Sequence, residues 1–396
     1  MSSLRFIGLA VVLFASACAP VKSAATPAAP SGSVPDRQAR SAAPAPARRV
    51  ELPRTVVTPT GEASIDELYA HARARLESGE YAGAAVELER VVALDPHGPL
   101  APEALFAAGE ARDFAGDPAG ALARYQEVGR RFPRSELARA ALVREIRLLA
   151  YFERWEEAGR AADALVARHP DLRPLEEIVA MSGKALALLA AGETDAAATF
   201  IERGRSAIED NRLDQAGRVP RDLAQLYYAL GELRRLRAEQ IRFVPVPADF
   251  AATLEARCQL LLDAQSAYSD AMRAYDAHWS AMSGYRVGEL YERLHQELMS
   301  VPPPPAATTD ADRQLFEGAM RLRYSVLLAK ALTMMNHTVQ MASRTGERSE
   351  WVERAKEARA SIERAMKVED AALARLPYSR ADLEAALARL AQRAKR

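Results

Sequence analysis

A repeat of 37 residues runs through the middle of the chain and constrains its fold more than any other feature. Alanines follow this period at Ala84, Ala121 and Ala158, and a further one comes 39 residues later at Ala197. Three tripeptides ending in proline keep the same spacing: Leu94-Asp95-Pro96, Arg131-Phe132-Pro133 and Arg168-His169-Pro170. Proline stops a helix, and turn residues recur in phase between the alanine and proline signals. Each unit is therefore predicted to be a helix, a turn, a second helix and a stop.

Each unit also has small residues where its helices would cross and large residues that would fill the facing gaps. The small residues of the first helices are Ala72, Gly109 and Ala185, and the large ones are Leu68, Leu105, Leu142 and Met181. Small side chains permit close helix approach, and one helix pair needs a neighbour to bury its apolar face. In this pattern the chain resembles the tetratricopeptide repeat (TPR) family. The resemblance implies an all-α fold, a TPR-like α-solenoid of antiparallel helix pairs followed by long C-terminal helices.

The resemblance covers residues 61–211, about two-fifths of the chain, and departs from the family in three places. The period is 37 residues instead of the usual ~34, Ile146 occupies a normally small position, and the fourth unit lacks its closing proline. The ending Phe132-Pro133-Arg134-Ser135 looks like a variant common in bacterial envelope lipoproteins.

The remaining residues divide into three segments. We interpret 212–299 as a degenerate repeat and long helices, with a fifth unit starting at Asp222 and a helix break near Ser283-Gly284. Four consecutive prolines predict a hinge at 300–309. Residues 310–396 resume the helical repeat, and Ser379 with Asp382 indicates a capping box that opens a last helix capping the solenoid.

The N-terminal residues predict export. Residues 1–17 have the charged, apolar and small-residue regions of a signal peptide. Ala15-Ser16-Ala17-Cys18 resembles the lipobox of bacterial lipoproteins, with Ala15 where leucine is usual, and this implies that Cys18 is acylated. Ala19 fits outer-membrane sorting, as the same resemblance implies. Cleavage by ordinary signal peptidase, giving a soluble periplasmic protein, is the alternative.

A tether is predicted between the lipidated cysteine and the repeats. Residues 18–60 are rich in Ala, Pro, Ser and Thr, a composition that cannot bury a core and is typical of disorder. This segment carries scattered arginines, namely Arg37, Arg40, Arg48, Arg49 and Arg54.

Composition and motifs favour neither catalysis nor cofactor binding. The 53 basic and 53 acidic residues balance, which gives no indication of nucleic-acid binding. Glu292 and His295 have the spacing of half a di-iron site, but the second such pair that this site needs is missing from the sequence. Cys258 lies among leucines and is interpreted as a buried apolar residue. We therefore expect a non-enzyme without metal or cofactor.

Five aromatic residues concentrate in one stretch, namely Tyr268, Tyr275, Trp279, Tyr285 and Tyr291. Spacings of seven and four place the first three on one helical face, which favours core packing over a ligand groove. Within this stretch, His278-Trp279 and Gly284-Tyr285-Arg286 look like a signature of envelope repeat lipoproteins. The spacing of Gly284 and Gly288 indicates close packing of helices.

The TPR resemblance implies a partner-binding concave face lined by the first helix of each unit. The partner-binding residues at these positions are Tyr69, Arg73, Phe106, Glu110, Arg147, Tyr228 and Arg235. Aromatic side chains beside arginine are the types that anchor protein partners. The alternative is that the chain's own C-terminal helices fill this groove.

Together these features predict a non-catalytic lipoprotein, anchored to the outer membrane and facing the periplasm. Its predicted role is a scaffold or assembly factor for other envelope proteins or peptides, in an outer-membrane assembly, secretion or motility complex. The alternative is a soluble periplasmic module that binds a peptide or cell-wall fragment.

Overall fold

The computed structural model describes residues 64–215, 219–305 and 307–393, with side chains described as far as residue 386. Within these residues the chain forms fourteen α-helices and no β-strand. The helices are Ile65–Glu77 (α1), Tyr81–Leu94 (α2), Ala101–Phe114 (α3), Pro118–Arg131 (α4), Leu137–Tyr151 (α5), Trp155–Arg168 (α6), Pro174–Ala190 (α7), Thr194–Asp210 (α8), Asp222–Glu239 (α9), Phe250–Arg273 (α10), Ala277–Met299 (α11), Asp310–Thr345 (α12), Glu350–Ala374 (α13) and Arg380–Arg393 (α14). The signal peptide, Cys18 and the tether predicted for residues 1–60 lie outside the described residues.

The helices stack in order along the chain. From α1 to α8 each helix packs on the next one, and α9 packs on α7 and α8 behind it and on α10 ahead. Beyond α10, the long helices α11 and α12 form an extensive pair, with α13 and α14 packed on α12. The predicted all-α, TPR-like solenoid followed by long C-terminal helices is confirmed.

The turns within the first four units share one backbone conformation. Gly79, Gly116 and Gly192 have φ of 85°, 81° and 81°, and the third unit places Glu153 at the same point with φ of 57°. Glycine adopts this left-handed region freely, whereas a residue with a Cβ incurs about 1–2 kcal/mol. The repeat therefore keeps its turn geometry even where the sequence lacks the glycine.

In two units the paired helices cross where a glycine of the first helix meets a tyrosine ring of the second. A Cβ added to Gly109 would lie 2.8 Å from Cε1 of Tyr125, and one added to Gly231 would lie 2.5 Å from Cε1 of Tyr268. Both rings are fully buried. The pair of α9 and α10 therefore repeats the packing of α3 and α4, although residues 240–249 replace its short turn.

We expect Gly231→Ala to lower the free energy of unfolding by about 1–3 kcal/mol, because the added methyl group meets a buried ring. The matched control is Gly129→Ala in α4, where an added Cβ has no heavy atom within 4 Å. This control should raise the free energy of unfolding by about 0.5–1 kcal/mol, since alanine loses less backbone entropy on folding. Urea denaturation measures both changes. A stabilised Gly231→Ala protein would show that Tyr268 moves aside at no cost.

The helix break predicted at Ser283-Gly284 is wrong. The chain breaks earlier, between the end of α10 at Arg273 and the start of α11 at Ala277, where Tyr275 has φ of 56°. Gly284 lies inside α11, and a Cβ there would be 2.2 Å from Oγ1 of Thr338 in α12. This glycine serves the close approach of two helices and not a change of direction, as its spacing with Gly288 had indicated.

Candidate functional site: a partly open groove on the first helices

The first helices of the first two units present half-buried side chains on the face where a partner is predicted. Tyr69 and Arg73 of α1 and Phe106 of α3 are all neither buried nor fully exposed. The Tyr69 hydroxyl donates a hydrogen bond of 3.3 Å to Oε2 of Glu103, which joins the faces of α1 and α3. We use the term open groove for the surface formed by Asp66, Tyr69, Arg73, Glu103, Phe106, Glu110 and Asp113.

The open groove is acidic. Its four carboxylates, Asp66, Glu103, Glu110 and Asp113, lie with one arginine of the same surface, Arg73, and with Arg144 and Arg147 at its α5 end. Glu110 accepts a hydrogen bond of 3.3 Å from Arg144 of α5. The other three carboxylates have no ion-pair partner among the residues that the structure describes. Burial raises the pKa of Asp113, against the lowering effect of Arg144 and Arg147. Arg144 and Arg147 therefore offset part of the negative charge at the α5 end, and a cationic partner would meet uncompensated carboxylates at Asp66 and Glu103.

Buried polar atoms without partners lie at the α5 end of the open groove. The Tyr125 hydroxyl is fully buried, and no hydrogen-bond partner is found for it in the described part of the chain. Burial raises its pKa, which also responds to the charges of Arg144, Glu110 and Asp113 nearby. Arg147 pairs with Asp222 at 2.7 Å, while its Nε is buried without a partner. Buried polar groups are usually hydrogen-bonded, so the Tyr125 hydroxyl and the Arg147 Nε leave hydrogen-bonding capacity unused at this end of the groove.

Two predicted partner-binding residues, Tyr228 and Arg235, do not lie on an open surface. Tyr228 is 1% exposed and packs against Trp279, with ring centroids 5.2 Å apart. The Arg235 side chain is 12% exposed and binds Glu232 at 2.7 Å and Glu239 at 2.9 Å. The prediction that these residues contact a partner is wrong for this conformation, because later helices of the same chain cover them.

A buried ion network lies where Tyr228 and Arg235 had been predicted to face a partner. Glu232 is its centre: it accepts hydrogen bonds from Tyr268 at 2.5 Å and from Arg235, and pairs with Arg286 of α11 at 3.1 Å. Burial alone would raise the pKa of Glu232, but the charges of Arg286 and Arg235 outweigh it and hold the pKa below its usual value. Glu232 therefore stays ionised and joins three helices, α9, α10 and α11.

The aromatic stretch is mostly core. Tyr268, Trp279 and Tyr291 are at most 8% exposed, and the half-buried Tyr285 contacts Trp351 of α13 with ring centroids 5.4 Å apart. Tyr275 differs, since it lies in the break between α10 and α11 and is 71% exposed. Most of this stretch therefore packs in the core, as predicted. The prediction that Tyr275 shares a helical face with Tyr268 and Trp279 is wrong.

The C-terminal helices close the concave face beyond α5. The ring of Tyr151, at the end of α5, contacts the ring of His278 at the start of α11, with centroids 3.9 Å apart. Arg354 of α13 lies 3.9 Å from Glu153, in the turn after α5. Glu347, between α12 and α13, lies 3.7 Å from Nδ1 of His278. The chain itself therefore fills the C-terminal part of the groove, and the part on α1 and α3 stays open.

The structure thus divides the seven predicted partner-binding residues into two groups. Tyr69, Arg73, Phe106 and Glu110 line the open groove, and Arg147 lies at its α5 end. Tyr228 and Arg235 belong to the buried network. Arg286 and Trp351 hold α11 and α13 to that network, and the sequence had predicted no contacts for either residue. The Gly284-Tyr285-Arg286 tripeptide was the signal that pointed to this place.

The described residues contain neither a metal-binding cluster nor a helix that could cross a membrane. No group of three or more His, Cys, Asp or Glu side chains in this part of the chain is arranged to hold a metal ion. None of the helices over the same residues combines the length and apolarity that crossing a membrane requires. The Cys258 side chain is buried in the core, as the leucines around it in the sequence predicted.

Comparisons with known proteins agree with the helix pairs. The family model described as tetratricopeptide repeat matches residues 103–135, which comprise nearly all of α3 and α4. Among solved structures, a tetratricopeptide repeat protein from Parabacteroides merdae ATCC 43184 is 14% identical, with 76% of this chain and 99% of that chain covered and a TM-score of 0.42. A search of curated protein sequences finds no match.

Proposed function

We propose that this chain is a non-catalytic scaffold that binds other envelope proteins through its open groove, because residues 103–135 match the tetratricopeptide repeat model and further helix pairs pack on both sides of them. In this proposal Cys18 is acylated and anchors the chain to the bacterial outer membrane, with the helices in the periplasm. The partner belongs to an assembly, secretion or motility complex of the envelope. Repeat solenoids bind partners along extended concave surfaces, and the open groove is the part of that surface that the chain itself leaves free.

The observation that supports binding is the contrast along the concave face. From α5 onward the chain covers this face with its own side chains, as Tyr151 with His278 and Tyr228 with Trp279 show. On α1 and α3 the aromatic rings of Tyr69 and Phe106 remain half-exposed beside acidic groups. Half-exposed aromatic residues at the centre of a groove are the side chains that most often contribute binding energy.

We expect Phe106→Asp to weaken partner binding by at least about 10-fold, because it replaces an aromatic anchor by a charge. Phe114→Asp is the matched control on the same helix, since Phe114 is 60% exposed and its ring contacts Tyr81 of α2. Crosslinking in intact cells, with quantification of the captured protein, measures the effect. Equal capture by the Phe106→Asp protein and the native protein would show that the open groove is not the interface.

The anchor has a separate test. Cells that express the native chain and are fed an alkyne fatty acid should incorporate the label into it, and Cys18→Ala should remove the label entirely. The Cys18→Ala protein should also move from the membrane fraction to the soluble periplasm. A native chain without label would contradict the lipoprotein proposal and favour a soluble periplasmic protein.

A further inference from the structure

We propose that the arginine-rich segment 37–54 of this chain docks in the open groove and competes there with the protein partner. The inference rests on the proposed function in one respect, since competition requires a partner for the same groove. The segment lies N-terminal to α1 and outside the described residues. Its docking would make the groove self-occupied until a stronger ligand displaces it.

The charges of the two surfaces are complementary. Segment 37–54 contains five arginines and one acidic residue, Glu51. The open groove contains four carboxylates and Arg73, and Arg144 and Arg147 offset Glu110 and Asp113 at its α5 end. Asp66 and Glu103 have no ion-pair partner in the described part of the chain. Complementary charge favours encounter and fixes register, and its effect is strongest where the groups are partly removed from water. The groove therefore favours a cationic segment over a neutral or acidic one.

The unsatisfied atoms in the groove match the hydrogen-bonding capacity of arginine. A guanidinium group carries five N–H donors and no acceptor. Asp113 offers a partly buried carboxylate, and the fully buried Tyr125 hydroxyl has an oxygen that can accept. The Tyr125 ring passes across Gly109, the residue before Glu110, so its hydroxyl lies on the groove side of α3 near Glu110 and Asp113. An arginine docked at the α1 end would bind Asp66 or Glu103, the two carboxylates that no described arginine pairs with.

The backbone of the segment also suits an aromatic groove. Pro44, Pro46 and Pro53 favour an extended polyproline conformation, which leaves the backbone unpaired and loses little entropy on binding. Aromatic-lined grooves recognise such segments. The half-exposed rings of Tyr69 and Phe106 supply the aromatic surface.

The connection between the two surfaces is long enough. Ser64, the residue that caps α1, is ten positions after Arg54, and an extended chain over ten positions spans at most about 33–36 Å. The thirteen residues of α1 extend only about 20 Å. Covalent connection over so few residues gives an effective concentration in the millimolar range, so even an intrinsic Kd of about 1 mM would leave the groove substantially occupied.

Photo-crosslinking within the full chain tests this inference. A benzoylphenylalanine residue is incorporated at position 106, and after irradiation of the purified protein the crosslinked peptides are identified by mass spectrometry. We expect crosslinks to residues 37–54 of the same molecule. Replacing the five arginines of the segment by glutamine, or raising the salt from 50 to 500 mM, should reduce the crosslink yield at least about 5-fold. The control position is Val368 on α13, which is 64% exposed.

The outcomes separate this inference from the proposed function. Absence of crosslinks to 37–54, or a yield unchanged by the arginine replacements, overturns the inference. Mixing isotopically labelled and unlabelled chains shows whether the crosslink joins two copies, which would also overturn it. The same probe irradiated in cells reports on the partner: capture of another protein without any crosslink to 37–54 supports the proposed function alone. Arginine-dependent crosslinks within one chain, with no foreign protein captured, support docking alone.

Discussion

Replacing Glu232 by alanine should lower the free energy of unfolding by about 3–5 kcal/mol, because removal of one member leaves buried charges without compensation. Arg286 and Arg235 would keep their charges in a region from which water is excluded, and the Tyr268 hydroxyl would lose its acceptor. Arg286 would retain only Glu289, at 2.7 Å, as an ionic partner in the described residues. Urea denaturation followed by tryptophan fluorescence measures the change.

The matched control is Glu289→Ala. The Glu289 side chain is 28% exposed and pairs with the same arginine, so its loss leaves Arg286 bound to Glu232. Ion pairs reached by water contribute about 0–1 kcal/mol, and we expect a change within that range. If the two alanine variants lost the same stability, Glu232 would not be the centre of the network.

Replacing Trp351 by alanine should lower the free energy of unfolding by about 3–5 kcal/mol, the usual range when a buried aromatic side chain is reduced to a methyl group. Trp351 is 2% exposed, and the guanidinium groups of Arg286 and Arg354 lie 5.1 Å and 4.5 Å from its ring centroid. Its loss removes the contacts of α13 with Tyr285 and Arg286 of α11. Hydrogen exchange should therefore increase over 350–374 and remain unchanged over α1 to α4.

A double variant tests whether Glu232 and Trp351 act through one residue. Both side chains contact Arg286, and mutations that share a partner are not additive. The free energy of unfolding lost in the double variant, Glu232→Ala with Trp351→Ala, should differ by more than about 0.5 kcal/mol from the sum of the losses in the two single variants. Strict additivity would contradict a shared role for Arg286. Trp351→Phe, which keeps an aromatic face, should lose less than Trp351→Ala.

The helix pairs could be predicted from the sequence because their signals are local. Proline and glycine positions set the ends of helices, and the spacing of Ala84, Ala121 and Ala158 indicated where helices cross. Gly284 shows the limit of this approach. A glycine inside a helical pattern has the same appearance whether it ends the helix or admits a neighbour, and only the position of Thr338 in α12 distinguishes the two.

Only some of the partner-binding residues could be predicted correctly from the sequence. Repeat phase assigns a residue to the concave face, but it carries no information about what covers that face. Phe106 and Tyr228 belong to the same kind of position, and one is half-exposed while the other is buried by Trp279, 51 residues away in sequence. Contacts at such separation depend on the path of the whole chain. The sequence nevertheless indicated the alternative, a groove filled by the chain's own C-terminal helices.

The contacts of Tyr151 with His278 and of Glu153 with Arg354 have a consequence for how such a protein can evolve. In an open solenoid, a unit can be duplicated or deleted with only local repair, because each unit touches its neighbours alone. Here a change in the number of helix pairs between α5 and α11 would displace both contacts at once. The length of this segment is thereby constrained, while α1 and α2, outside the closed part, remain free to vary in number and so to lengthen or shorten the open groove.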